Sequence, residues 1–170
     1  MRVKNEETSL KAKKRSRKLV NLLYKSRAEV IMDDAKYFCF DGYNIPGSAR
    51  YYTMLRRCSK RKILMWITIS NRGISKPYFR LSKSVAVNSN IYITECLQPK
   101  LLPFIHKHQS NLNYFFWPDL VEAYYSNETV AWMEENVHFV EKFSNSPNVP
   151  QARSIENLLG ILGSKVYEGE

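Results

Sequence analysis

With 170 residues, 44% of them hydrophobic and 13% aromatic, the chain can bury one core, which excludes a disordered segment and points to one domain. No stretch approaches the roughly 20 consecutive apolar residues of a membrane span, and the basic N-terminus lacks the apolar segment of a signal peptide, so the sequence reads as soluble and not secreted. The formal charge of +10 is uneven, because residues 1–30 hold ten Lys or Arg against three Glu and Arg50 to Lys62 holds six with no acid. A polyanion bound there would release its condensed counterions, so nucleic acid is the natural partner and a merely solvated basic surface the alternative.

In chain order, residues 1–18 end in Lys13-Lys14-Arg15-Ser16-Arg17-Lys18, a like-charged run similar to a nuclear-localisation or nucleic-acid-binding arm. It is expected to be mostly flexible, with an apolar patch at Leu19, Val20, Leu22 and Leu23 behind it. Residues 1–28 thus form a basic arm with a short helix, and 29–170 the domain proper. Glu29 to Phe40 is rich in β-branched and aromatic residues and stops at Asp41-Gly42, which predicts a strand carrying Asp33 and Asp34.

Tyr51-Tyr52-Thr53 is a weak second strand, and Ile63 to Ile69 is apolar enough for a central strand buried on both faces. A further strand is expected over Lys76 to Leu81. Asn88 should cap a helix through Ile91, Tyr92 and Glu95, with Pro99 interrupting it before a second piece at Leu101, Leu102 and Ile105. Tyr114 to Asp119 is an aromatic strand ended by Pro118, and Ser126 can cap a helix with Val130, Met133 and Val137 on one face. Val137 to Phe143 reads as a short strand and Ser144 to Ser154 as a loop. The last helix should set Ile155, Leu158, Leu159, Leu162 and Val166 in one stripe. Strands first, then alternating helix and strand, make an α/β domain with a mixed sheet flanked by helices.

Cys39, Cys58 and Cys96 form no C-x-x-C pair and read as free thiols in a reducing compartment. His106 and His108 flank Lys107 at a helix end and read as solvated, not as a metal pair. Trp117, Tyr124 and Tyr125 read as core or pocket-wall aromatics in preference to base-stacking platforms.

Three acids stand beside structural punctuation: Asp34 on the first strand, Asp119 past the aromatic strand and Glu156 in the first turn of the final helix. Singly, each reads as a turn former or a helix-dipole partner. Together their surroundings are specific. Met32-Asp-Asp-Ala-Lys-Tyr-Phe38, Phe116-Trp-Pro-Asp-Leu120 with Tyr124-Tyr125-Ser126, and Pro147-Asn-Val-Pro-Gln-Ala-Arg-Ser-Ile-Glu-Asn157 resemble the three catalytic motifs of mariner-superfamily (DDE/D) transposases, with Glu156 lying 37 residues after Asp119. Gly73-Ile-Ser-Lys-Pro77 and Lys165-Val-Tyr-Glu-Gly169 extend the resemblance from about Glu29 to Gly169.

The resemblance implies a ribonuclease-H-like fold and metal-dependent DNA cleavage and strand transfer, full or impaired. Asp34, Asp119 and Glu156 would be the catalytic residues and would hold Mg2+ or Mn2+, with Asp33 the competitor of Asp34. Converging carboxylates repel one another unless cations neutralise them, and hard oxygen donors select these ions. Lys13, Lys14, Arg15, Arg17, Lys18, Arg56, Arg57, Lys60, Arg61 and Lys62 would bind the DNA backbone without reading sequence. A nuclear location and a homodimer are further expectations.

Ala35 stands where the family commonly has Glu, Tyr124 where it has His, and Leu159 where an aromatic is common. Thr53 to Lys62 replaces a longer insertion used in subunit contacts, the chain stops soon after Tyr167, and no pair of helix-turn-helix modules precedes the domain. The competing reading is therefore a domesticated or decaying remnant that binds nucleic acid or a protein partner without catalysis.

Overall fold

The structure is a computed structural model that describes residues 6–39, 62–82, 87–109, 113–145 and 153–168. Its centre is a long strand, β1 (Glu29–Cys39), paired antiparallel with β2 (Lys62–Ser70) so that Asp33 lies opposite Thr68 and Asp34 opposite Ile67. Two short strands, β3 (Gly73–Ile74) and β4 (Tyr78–Ser82), both pair with β2, and β5 (Tyr114–Trp117) runs parallel to β1 on its other side. The result is a mixed five-stranded sheet in the order β3-β2-β1-β5 with β4 also on β2.

Strand alternation sends the two neighbouring acids of β1 to opposite faces. Ile31, Asp33 and Ala35 face one side, where Ile31 packs in a core with Trp66, Tyr92, Cys96, Leu97, Leu101, Phe116 and Tyr124. Met32 and Asp34 face the other, where Met32 meets Met65, Ile67, Ile155 and Leu159 of a smaller core. Burying each such Leu, Ile or Phe side chain contributes roughly 1.5–3 kcal/mol.

The first face is covered by α2, which starts at Ser89–Ile91, widens into a π-helical stretch over Tyr92–Leu101 and returns to α geometry over Leu102–Gln109. A one-turn 3-10 helix (Glu122–Tyr125) and α3 (Asn127–Asn136) complete that layer. Asn88 and Ser126 cap as their sequences predict, their side chains accepting the backbone N–H of Ile91 and of Thr129. The expected break at Pro99 is corrected, because the helix runs through it. Proline removes one donor and crowds the carbonyl four residues back. The wider turn, in which Leu102 N–H reaches the Leu97 carbonyl, gives the ring room.

The second face is covered by α4 (Ser154–Val166) and by α1 (Glu6–Ser26). Ile155 and Leu159 of α4 are buried and Leu158 and Leu162 partly so, whereas Val166 is exposed and falls outside the stripe. The tyrosine after α4 closes its far end, since the Tyr167 hydroxyl accepts Cys39 N–H at 2.8 Å and donates to the Cys39 carbonyl at 3.0 Å.

The expectation of a flexible arm is corrected over 6–18, which is part of α1. Lys, Arg, Leu, Glu and Ala are good helix formers, and Leu19 docks with Leu23 against Trp117, Val140 and Val30. Arg27, in the left-handed conformation at φ 48°, then turns the chain into β1. A second correction concerns Val137 to Phe143, which contributes a single parallel bridge from Phe139 to Phe116. The turn in which Ser144 N–H and Asn145 N–H both return to the Glu141 carbonyl bends the chain away before a strand can extend.

Tyr51-Tyr52-Thr53, Asp41-Gly42, Cys58 and most of the loop before α4 lie outside the described residues. Cys39 and Cys96 are buried thiols, and burial pushes the Cys96 thiol far up. No helix among the described residues is long and apolar enough to cross a membrane.

Candidate acidic site

The aromatic strand β5 ends at Pro118, and the chain there is held from several sides. Asn145, almost fully buried, accepts the Trp117 indole N–H at 2.8 Å and donates to the Pro118 carbonyl at 2.9 Å and to the Tyr125 hydroxyl at 2.8 Å. Tyr125 passes its own proton to the Val140 carbonyl at 2.8 Å. Asp119 follows, its N–H donating to Asp33 Oδ1 at 2.9 Å while its carboxylate accepts Leu120 N–H at 2.8 Å. This bond to the next amide leaves the carboxylate partly exposed beside Arg153 at the start of α4.

Asp33 is completely buried and is a structural acceptor. Its Oδ2 takes the Trp66 indole N–H at 3.0 Å and the Tyr92 hydroxyl at 2.6 Å, and its Oδ1 takes the Asp119 amide. Burial pushes its pKa up to about 6, against the hydrogen bond from Tyr92 and the charge of Arg153, which lower it. Tyr92 in turn stacks on Tyr124, with ring centroids 3.7 Å apart and planes within 5°. Tyr124 thus belongs to the wall behind Asp33, and Trp117, Tyr124 and Tyr125 are all buried.

Asp34 is half-buried on the opposite, α4 side, and Oδ1 accepts Ala35 N–H at 2.7 Å. Burial raises its pKa to about 6, the Ala35 N–H opposes that, and the nearby charges of Asp119 and Asp33 add to the rise. Lys36, on the same face, donates from Nζ to the Leu159 carbonyl at 2.8 Å and so ties β1 to α4.

Glu156 stands in the first turn of α4, where a carboxylate also meets the positive end of the helix dipole. Between it and Asp119 lies Arg153, with Nη1 at 3.9 Å from Asp119 and Nε at 3.9 Å from Glu156. Asp119 and Glu156 therefore share one guanidinium, and Asp34 lies close enough for the charge of Asp119 to be felt. Among the described residues no group of three or more His, Cys, Asp or Glu side chains is arranged to hold a metal ion. The donors that Asp34, Asp119 and Glu156 offer are hard carboxylate oxygens, which fit magnesium or manganese chemically.

Of the basic residues singled out, Lys13, Lys14, Arg17 and Lys18 are exposed on α1, Arg15 is half-buried there, and Lys62 opens β2. Arg56, Arg57, Lys60 and Arg61 lie outside the described residues. His106 is exposed, whereas the His108 ring packs 4.9 Å from that of Phe104. The sequence reading missed Arg153 and Asn145. Arg153 lies within the third motif, and that placement was the only signal of it. Asn145 gave none.

No protein-family model matches the chain, nor does any curated protein. Solved structures do. The catalytic domain of Mos1 mariner transposase aligns with 99% of this chain and 76% of its own at 14% identity, with a TM-score of 0.66. The same domain with raltegravir and manganese reaches a TM-score of 0.70, also at 14% identity, over 100% of this chain and 77% of that one. A Mos1 paired-end complex with the left transposon end aligns at 0.68 and 16% identity, over 96% of this chain and 50% of the transposase. Such similarity at so low an identity is a likeness of fold: the chain has the ribonuclease-H-like fold of a transposase catalytic domain.

Proposed function

We propose that this chain is a transposase-type catalytic domain that cleaves and joins DNA with the help of Mg2+ or Mn2+. The observation that carries this reading is that Asp119 and Glu156 share the Arg153 guanidinium, with Asp34 near enough to feel the charge of Asp119, in a chain that has the fold of the Mos1 catalytic domain. Asp34, Asp119 and Glu156 would hold the ions. When bound, a pair of ions supplies activation of a water or DNA 3′-hydroxyl and stabilisation of the leaving oxygen. Solved Mos1 structures that include manganese or magnesium support the choice of ion.

The residues of the chain then have separable tasks. Asp33 fixes the backbone of Asp119 through Oδ1 and orients the Tyr92 and Trp66 side chains through Oδ2. Asn145 fixes Trp117 and Pro118. Asp34 is restrained by the adjacent N–H of Ala35. The exposed cations of α1 would neutralise phosphates without reading bases, as counterion release requires. A homodimer acting in the nucleus belongs to the same proposal, supported by the paired-end complexes among the similar structures and by the basic run at Lys13 to Lys18.

The test is nicking of supercoiled plasmid with manganese present. The wild-type chain should nick and Asp119→Asn should not. Equal activity of the two would remove Asp119 from the site.

One feature favours the second reading, a remnant that binds without cutting. Ala35, Tyr124 and Leu159 occupy positions where related catalytic domains commonly carry Glu, His and an aromatic, and here they serve packing: Ala35 against the main core, Tyr124 on Tyr92, and Leu159 in the smaller core. In that case neither protein nicks and both bind DNA.

A further inference from the structure

A buried cation sits inside the acid group, and the role of that side chain is set by what it donates to. The Arg153 side chain is 7% exposed. Its Nη2 donates to the carbonyl of Asp33, the residue before Asp34, and its Nη1 donates at 3.3 Å to the carbonyl of Pro118, the residue before Asp119. Glu156 is three residues further along its own helix, and the Trp117 ring lies 5.6 Å from the guanidinium carbon. One planar group thus touches all three segments that carry the acids. Only arginine presents several donors in a rigid fork; a lysine ammonium is a point charge on a flexible stem and cannot hold both carbonyls in the same geometry.

The distances separate two roles that a cation here could have. Hydrogen bonds from N–H to oxygen run about 2.7–3.2 Å. The two carboxylates, at 3.9 Å each, lie well beyond that range, whereas the Pro118 carbonyl at 3.3 Å sits just past its long edge and the Asp33 carbonyl is nearer still. Arg153 therefore holds the backbone through hydrogen bonds and the carboxylates only through charge, so the guanidinium itself does not occupy their oxygens with a hydrogen bond. The Pro118 carbonyl is also held by Asn145 at 2.9 Å, so the segment before Asp119 is fixed from two directions.

We infer that Arg153 is a positioning residue, which sets the spacing of the segments bearing Asp34, Asp119 and Glu156 and offsets their repulsion before any ion arrives. The inference rests on the ion-binding reading above, and its test separates the two. Wild type, Arg153→Lys and Arg153→Met are compared as full chains, with bound manganese measured from the loss of the free-ion electron paramagnetic resonance signal and with metal-free melting measured alongside. Arg153→Lys keeps the charge, yet it should bind manganese at least about ten-fold more weakly, the usual scale when a group supporting metal ligands is removed. Both variants should melt below the wild type without metal.

Manganese affinity in Arg153→Lys equal to that of the wild type overturns the inference, and so does tighter binding by Arg153→Met, which would make the arginine a competitor of the ion. If the wild type itself binds no manganese, the ion-binding reading fails. The metal-free melting then decides the tethering role alone, and an unchanged midpoint in Arg153→Lys rejects it.

Discussion

Replacing Asn145 with alanine should destabilise the protein far more than its position beside a surface turn suggests. The side chain is almost fully buried and makes three hydrogen bonds, to the Trp117 indole, the Pro118 carbonyl and the Tyr125 hydroxyl. Truncation leaves the Trp117 N–H in a buried place without its acceptor, at a cost of about 1–3 kcal/mol. The Pro118 carbonyl keeps Arg153, and the Tyr125 hydroxyl keeps the Val140 carbonyl, so those two losses are nearer the net value of about 0.5–1.5 kcal/mol each. The sum is roughly 2–6 kcal/mol, and at about 2–4 °C per kcal/mol for a chain of this size the midpoint should fall by roughly 4–24 °C. Scanning calorimetry of the metal-free protein reads this directly. Asn113→Ala is the control: that residue is exposed and, among the described residues, its side chain makes one hydrogen bond, to the Ser26 carbonyl at 2.7 Å, so it should shift the midpoint by no more than a few degrees. Equal shifts for the two variants would refute the argument that burial of the network sets its worth.

Two other outcomes follow from the charges. Changing Lys13, Lys14, Arg17 and Lys18 to glutamine should flatten the plot of log DNA affinity against log salt, by about 0.9 for each phosphate that these cations no longer neutralise, whereas an unchanged slope would mean that this face of α1 does not touch DNA. Asp33 and Asp34 both have pKa values raised to about 6 from 3.8, so in the absence of metal the fold holds their protons more tightly than the unfolded chain does. The contribution of these two groups to stability should be fully present below about pH 4, decline as pH rises through about 6 and then level off. Asp34→Asn should remove part of that decline, and melting curves between pH 4 and 8 that are superimposable for wild type and variant would contradict it.

How much could be read from the sequence depended on whether the determining interactions are local. The period of β1 and the apolar run of β2 state their own burial, and Asn88 and Ser126 sit directly before the amides they cap. The motifs around Asp34, Asp119 and Glu156 pointed to a transposase-type fold, which the structural likeness at 14% identity supports independently. The charge run of α1 hides a helix because its like charges are local and legible, whereas the docking of Leu19 against Trp117 and Val140 is a long-range contact. Pro99 read as a break because the π-helical turn that accommodates it depends on packing of the whole helix. The framework behind the acids was invisible for the same reason: Arg153 reaches Asp33 across 120 residues, Asp119 reaches Asp33 across 86, and Asn145 reaches Pro118 across 27. Alternation along β1 put Asp33 and Asp34 on opposite faces, but only the partners Trp66 and Tyr92 show that Asp33 is occupied as an internal acceptor.

The central claim, that Asp34, Asp119 and Glu156 bind a divalent ion in the folded state, is tested most directly by melting the wild type and Asp119→Asn with and without manganese. A ligand at 100 times its dissociation constant stabilises the state it binds by about 2.7 kcal/mol, which corresponds to roughly 5–10 °C for a chain of this length. The wild type should gain that shift and Asp119→Asn should lose most of it. Melting points that do not move with manganese in either protein would contradict the claim.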